Sequence, residues 1–232
     1  MTSVCIIPAR GGSKRIPRKN IKQFAGEPII HWSIQVALKS NIFDKVLVST
    51  DDKEIAEIAE SKGALVPFIR PKKLADDYCG NNPVVCHALD FFRKKGLNIN
   101  LACCLYPTAP FVNKEDLKKG IQILQEVNID RFVFAATSFA FPIQRAISLD
   151  NKGFAHTVNK IDILKRSQDL EIMYHDAGQF YIGRPPAWYS RKDIFLNSKP
   201  LILPRWRVHD IDTMEDWKRA EIIYKTMLGV HE

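Results

Sequence analysis

What the 232-residue sequence lacks narrows the field first. It has five cysteines, Cys5, Cys79, Cys86, Cys103 and Cys104, and no C-x-x-C pair among them, which removes the paired-cysteine redox and metal motifs. Cys5, Cys103 and Cys104 sit in apolar, strand-like runs. An odd number of cysteines in such places points to packed free thiols in a reducing compartment, so the expected location is cytoplasmic. No apolar run approaches the ~20 residues of a membrane span. No basic segment followed by an apolar one opens the chain, so no secretory signal and no membrane partner are expected. There is no G-x-G-x-x-G and no G-x-x-x-x-G-K-[ST], which excludes the dinucleotide fingerprint and the Walker A loop. Internal repeats and low-complexity segments are absent too.

Positive charge is plentiful, with a formal net charge of +8. Much of the excess gathers near the N-terminus, and no basic stripe with interleaved aromatics follows. A small polyanionic ligand explains that distribution better than nucleic acid. The cluster follows an apolar run, Val4 to Ile7, that reads as a buried strand. The chain then continues Pro8-Ala9-Arg10-Gly11-Gly12-Ser13-Lys14-Arg15-Ile16-Pro17-Arg18-Lys19-Asn20. Gly11 and Gly12 permit a bend where a Cβ would clash and leave N–H groups to point at a ligand. Arg10, Lys14, Arg15, Arg18 and Lys19 repel one another, and a triphosphate among them would relieve that repulsion. The alternative is a solvated surface loop.

The rest of the first 140 residues alternates strand and helix. Helices are expected over 28–40, over 51–62 with Asp51 as N-cap, over 83–95, and after an N-cap at Asn113. Strands are expected over 45–50, 64–69, 101–106 and 131–137. The pattern predicts an α/β fold, a Rossmann-like mostly parallel sheet with helices on both faces. Loops 10–20, 70–82 and 106–110 all follow strands and should meet at one rim, where such folds bind ligands. After residue 138 the alternation fails. Residues 139–176 have too few core positions to fold alone and read as an arm that leans on a second subunit. The α/β domain is therefore expected to comprise 1–138 and 177–232, with strands over 177–183 and 201–203 and a last helix over 213–228.

The second chemical signal is His209-Asp210-Ile211-Asp212-Thr213. Carboxylates two residues apart on an extended chain point the same way, and a cation between them relieves their repulsion. Mg²⁺ suits such a pair, taking its remaining ligands from water and phosphate. The competing explanation is helix capping by Asp212 or Thr213. With the cationic loop, the pair composes a nucleotidyl-transfer site. Backbone at Gly11, Gly12 and Ser13 with Lys14 would hold the β- and γ-phosphates, and Arg10 and Lys19 would act at the α-phosphate. Asp210 and Asp212 would bind the metal.

The loop through Lys19-Asn20, then Val48-Ser49-Thr50-Asp51, Arg70-Pro71, Leu74-Ala75-Asp76-Asp77, His87-Ala88-Leu89, Pro107-Thr108-Ala109-Pro110 and Asp210-Ile211-Asp212-Thr213 form an ordered set. It resembles the CMP-nonulosonic acid synthetases, cytidylyltransferases that activate sialic-acid-like sugars. The resemblance implies CTP and a nonulosonic acid as substrates. It implies nucleotide-site roles for Arg10, Lys14, Lys19 and Asn20, in a loop that also includes Ala9, and for Arg70 in the loop after the third strand, and metal-binding roles for Asp210 and Asp212. It further implies a homodimer built through the arm. Asn81 stands where the family has a nucleotide-contacting serine, and Tyr106 where sialate enzymes have a glutamine facing the sugar. Phe141-Pro142-Ile143-Gln144-Arg145-Ala146 and His175-Asp176-Ala177-Gly178-Gln179-Phe180-Tyr181 are similar to the pseudaminic acid branch, whose products imply glycosylation of surface proteins such as flagellin. On that resemblance Tyr106, Phe139, Phe141, Phe180 and Tyr181 are candidates for apolar contact with the sugar. Gln144 and Gln179 are candidates for its acylated amines, and Arg145, Lys165 or Arg166 for its carboxylate. Sialic and legionaminic acids remain the alternative sugars, and a non-catalytic nucleotide- or nucleic-acid-binding module the alternative class.

Overall fold

A computed structural model describes residues 2–128, 130–190 and 193–229. The strands are β1 (Thr2–Pro8), β2 (Gln23–Phe24), β3 (Glu27–Pro28), β4 (Lys45–Ser49), β5 (Ile99–Leu105), β6 (Phe132–Ser138), β7 (Ile147–Leu149), β8 (Ala155–Thr157), β9 (Tyr174–Gly183) and β10 (Lys199–Ile202). The helices are α1 (Ile29–Lys39), α2 (Lys53–Ser61), α3 (Asn81–Lys94), α4 (Lys114–Gln125), α5 (Pro185–Tyr189) and α6 (Met214–Met227).

Six strands form one sheet in the order β10-β6-β9-β5-β1-β4. β1 runs parallel to both β4 and β5, and β10 parallel to β6, while β9 is antiparallel to both of its neighbours. Val4 to Ile7 are fully buried because β1 is covered on both faces. Cys5 and Ile7 join a cluster with α1, α2 and α4, whereas Val4 and Ile6 join one with α3 and α5. A third cluster lies beside the sheet. Ile16 of the cationic loop packs there with Phe24, Phe111, Ile211 and the Trp217–Tyr224 face of α6. It is what brings the loop and the Asp210 segment, almost 200 residues apart in sequence, to one place. No helix among the described residues is long and apolar enough to cross a membrane.

Several expectations need correction. Residues 64–69 make only two isolated parallel bridges, Leu47–Leu65 and Thr50–Ile69, because Pro67 lies between them and cannot donate to a ladder. Asp52, not Asp51, caps α2, accepting the Ile55 N–H. α3 begins two residues before Pro83. α5 was not anticipated, although Pro185-Pro186 marks its first turn. Residues 174–176, assigned to the arm, belong to β9, where Asp176 pairs with Ala136 and His175 with Thr137. Between β6 and β9 the chain adds no strand to the sheet and forms a separate antiparallel hairpin of β7 and β8.

Candidate active site

The cationic loop leaves β1 with Ala9 buried and its N–H donating to the Ser49 carbonyl at 2.9 Å. Gly11 then donates its N–H to Asp51 Oδ1 at 3.0 Å. A Cβ on Gly11 would stand 2.7 Å from Asp52 Oδ2, so this glycine is required by close packing. Its amide, expected to face a ligand, is already spent on Asp51. Gly12 is exposed, and a Cβ there meets nothing within 4 Å. Arg18 adopts a left-handed backbone, φ 54°, and its guanidinium spans Asp52 at 2.5 and 2.9 Å and Glu54 at 2.5 Å. One of the five loop cations therefore bolts the loop to α2, and the hydrogen bond from Asp52 holds that guanidinium's pKa above its ordinary value.

The other four border one cavity, Lys14 and Arg15 at its exposed edge. Arg10 reaches Asp77 at 2.7 Å and the Asp76 carbonyl at 2.8 Å, and Lys14 pairs with the same Asp77. Arg15 pairs with Asp212 at 2.6 Å. Lys19 donates to the Ile211 carbonyl at 2.5 Å and lies 3.3 Å from Asp212 Oδ1. Asn20 steadies the loop by donating to the Arg10 carbonyl at 2.9 Å.

These cations and Ser13 border a cavity of about 420 Å³ that also takes in Arg70, Asn81 and Tyr106. Arg70 is only 5% exposed. It donates to the Ser49 and Leu74 carbonyls, but among the described residues its Nε has no partner and no carboxylate pairs with it. Burial lowers its pKa against the pull of Asp51. A desolvated cation without a counter-ion is costly unless an anion joins it. Asn81, in the first turn of α3, donates from Nδ2 to Tyr106 Oη at 2.7 Å.

Tyr106 also borders a second cavity of about 760 Å³, lined by Asp176, Asp210, Asp212, Asp216 and Arg219 among others. Asp210 and Asp212 share this wall, as their spacing predicts. Thr213, not Asp212, caps α6, in a capping box with Asp216, so the cap does not account for the pair. Asp212 is neutralised by Arg15 and Lys19, whereas Asp210 has no hydrogen bond or ion pair with any described residue. Desolvation first, and then Asp212, raise its pKa above the usual carboxylate value. No group of three or more His, Cys, Asp or Glu able to hold a metal occurs among the described residues. Two carboxylates, one of them uncompensated, fit a hard cation that draws its other ligands from water and phosphate. His209 stacks on Phe111 at 4.6 Å with Nε2 2.8 Å from the Trp206 carbonyl, which is a packing role.

The residues expected on the sugar side divide. Tyr106 stands between the cavities. Tyr181 is almost fully buried behind it, with its hydroxyl on the Asp176 carboxylate and 3.4 Å from Tyr106 Oη. Burial pushes the Tyr106 phenol up to about 12 and the Tyr181 phenol further still. Phe180 is wholly buried on the α4 face and is core, not sugar contact, because β9 alternates and this position points under Gly120. Gln179 is 3% exposed, donates from Nε2 to the Arg207 carbonyl at 2.7 Å, and lines neither cavity. Gln144, Arg145 and Arg166 line neither cavity. Gln144 bonds the Glu171 carbonyl and Arg166 pairs with Asp169. Asp77 and Asp176 appear in the quoted motifs with no role attached. A single carboxylate carries no periodic signal, and only the fold shows what it faces.

Residues 4–225 match a family model described as Cytidylyltransferase. The chain is 47% identical over 226 residues to the pseudaminic acid cytidylyltransferase of Campylobacter jejuni, covering 97% of each. It is 31% identical over 229 residues to the CMP-N,N'-diacetyllegionaminic acid synthase of Legionella pneumophila, covering 95% of each. A CMP:2-keto-3-deoxy-manno-octonic acid synthetase complexed with CTP shares the fold, with a TM-score of 0.72 over 98% of this chain and 100% of that one at 16% identity. A chain matched along nearly its whole length, with a cationic loop and an aspartate pair at one rim of its sheet, belongs to the cytidylyltransferase family and is a nucleotidyltransferase.

Proposed function

We propose that this enzyme joins CTP to pseudaminic acid, releasing CMP-pseudaminic acid and pyrophosphate. The observation that carries the reading is Arg70, buried without a counter-ion at the back of a cavity ringed by loop cations. Tyr106 lines both that cavity and the one that holds Asp210 and Asp212. The choice of sugar is supported by the 47% identity to a pseudaminic acid enzyme.

In this reading the triphosphate replaces Asp77 as the partner of Arg10 and Lys14 and supplies the anion that Arg70 lacks. The C2 hydroxyl oxygen of the sugar attacks the α-phosphorus and gives up its proton to solvent. The new C–O–P bond forms as the bond to the β-bridging oxygen breaks, and pyrophosphate carries away that bond's electron pair. Lys19, held beside Asp212, and Arg10 stabilise the charge that gathers on the oxygens around phosphorus. Mg²⁺ held by Asp210 and Asp212 would neutralise phosphate charge as the leaving group departs.

The arm supports a homodimer. Phe141, Ile161 and Leu164 are 84%, 75% and 86% exposed, and apolar side chains so open along one segment suit an interface with another surface. The second cavity is rich in aspartates, with Arg219 the only Lys or Arg among the described residues that line it. A sugar carboxylate therefore needs cations from elsewhere, and Arg145, Lys165 and Arg166 of a second copy are available for it.

The test is pyrophosphate release with CTP and Mg²⁺, offering pseudaminic, N-acetylneuraminic and legionaminic acids in turn. Release with pseudaminic acid, abolished by chelator, is expected. Turnover with another sugar alone overturns the sugar assignment and keeps the chemistry, and no release with any sugar overturns the reading.

A further inference from the structure

Asp210 lines the second cavity and has no hydrogen bond or ion pair with any described residue, so its position depends on how the backbone around it is held. The segment before it is tied at Arg207. That side chain is nearly buried, 12% exposed, and forks onto Asp116 at 2.5 and 3.1 Å. Asp116 is equally enclosed, with a side-chain exposure of 10%, and is anchored in the Asn113 capping box at the start of α4. The backbone of Arg207 is gripped separately, its carbonyl accepting the Gln179 Nε2 at 2.7 Å. Gln179 lies in β9, and its own carbonyl accepts the Tyr106 N–H at 2.8 Å. One continuous path therefore runs Tyr106–Gln179–Arg207–Asp116, from the residue between the two cavities to the stem of the aspartate pair. Beyond it, Ile211 is sunk in the third core cluster and its carbonyl receives Lys19. The Asp210 backbone is thus fixed on both sides.

None of the three residues Gln179, Arg207 and Asp116 borders either cavity. An enclosed ion pair of this kind adds little stability over a well-packed apolar pair, whereas it sets geometry strictly, since a forked guanidinium–carboxylate contact has one orientation.

We infer that Gln179, Arg207 and Asp116 are positioning residues that set the separation between Tyr106 and the Asp210–Asp212 carboxylates, and thereby the affinity and placement of the divalent cation. This rests on the proposed cytidylyl transfer. It also gives Gln179 a task in place of the sugar contact expected of it.

The experiment measures Mn²⁺ binding by electron paramagnetic resonance in the presence of a non-hydrolysable CTP analogue, together with steady-state kinetics and thermal midpoints. Gln179→Met removes the grip on Arg207 at similar volume. It should weaken Mn²⁺ binding and lower kcat, each by about ten-fold, the size found when groups supporting metal ligands are removed. KM for CTP should change less than two-fold. Arg207→Met should do the same more strongly, and Arg207→Lys should recover part of both losses. Variants that fold and bind Mn²⁺ like the parent protein overturn the inference. So does a loss of kcat in Gln179→Met without weaker Mn²⁺ binding. A parent protein that binds no Mn²⁺ with the CTP analogue overturns the metal reading and this tie together, whereas normal metal binding without pyrophosphate release from any sugar counts against the proposed function and not against this tie.

Discussion

The loop after β1 and the arm after β6 are opposites in how they handle their exposed groups. In the loop every cation is matched inside the same chain: Arg10 and Lys14 to Asp77, Arg15 and Lys19 to Asp212, Arg18 to Asp52 and Glu54. In the arm the charges pair locally, Lys165 with Asp162 and Arg166 with Asp169, while the apolar residues stand open. In the proposed function the nucleotide half of the site is assembled within one chain. The sugar half, lined by four aspartates and one arginine, is completed there by the arm of a proposed second copy, whose apolar residues the pairing would cover.

The largest effect should come from the carboxylates at the junction of the halves. Asp210→Ala and Asp212→Ala should each lower kcat for pyrophosphate release by about a thousand-fold, the loss typical when stabilisation of transition-state charge is removed. The two should differ in what happens to the resting protein. Asp210 carries a raised pKa, so its charge is disfavoured in the fold, and its removal should leave the thermal midpoint unchanged or higher. Asp212 holds Arg15 and Lys19, and its loss should loosen the loop, seen as faster proteolysis around Lys14 and Arg15. Full turnover in either variant breaks the assignment of this segment to catalysis.

Arg70 should give the next largest change, with the same divergence of function from stability. Arg70→Met removes the buried cation that has no counter-ion. KM for CTP should rise by about ten- to a hundred-fold, the range for losing a charged hydrogen-bonding partner, while the thermal midpoint without CTP should not fall. A destabilised protein with normal CTP affinity would make Arg70 a scaffold residue instead.

Complementation sharpens the comparison between loop and arm. An Asp210→Ala chain has an intact arm, and a chain with Arg145, Lys165 and Arg166 all changed to Ala has an intact aspartate pair. Each alone should be inactive. Mixed in equal amounts after exchange of subunits, they should regain about a quarter of parental activity, because half the dimers are mixed and each has one complete site. A monomer mass at micromolar concentration by light scattering, or a mixture no more active than its parts, contradicts an arm that serves the partner's site.

The loop and the arm also differed in how far their sequence could be read. Period-2 and period-3.6 patterns report which face of an element is buried, so Val4–Ile7, the helices over 29–39 and 114–125, and the convergence of the post-strand loops were all legible. So was the Asp210–Asp212 pair, because its spacing alone puts both side chains on one wall. Contacts made at long range were not. Asp51 rather than a phosphate takes the Gly11 amide, and Arg18 turns back onto α2. Both depend on where two loops meet, and neither leaves a local pattern. Phe180 and Gln179 sit in a motif expected on the sugar side from its resemblance alone, but in the strand one enters the core under α4 and the other reaches Arg207. Proximity in sequence to a functional residue says little in β9, where successive side chains face opposite ways.

The smallest expected effect bears most directly on the pairing inside the loop. Asp77 occupies the cations that the triphosphate needs, so it competes with the substrate. Its carboxyl is held below the usual range, chiefly by the bond to Lys14 and also by Arg10, so it remains a charged competitor at neutral pH. It is also partly exposed, so the competition is screened by water. Asp77→Asn should therefore tighten CTP binding by only about two- to five-fold, the scale of a surface ion pair, measured by isothermal titration without the sugar. Added salt should shrink the difference, since it already weakens the ion pairs of the parent protein. Inorganic tripolyphosphate should show the same tightening as CTP, because the effect acts on phosphate and not on the base. Weaker binding in Asp77→Asn would reverse the sign and make Asp77 a residue that orders the loop for CTP, as Asp52 orders it from the other side.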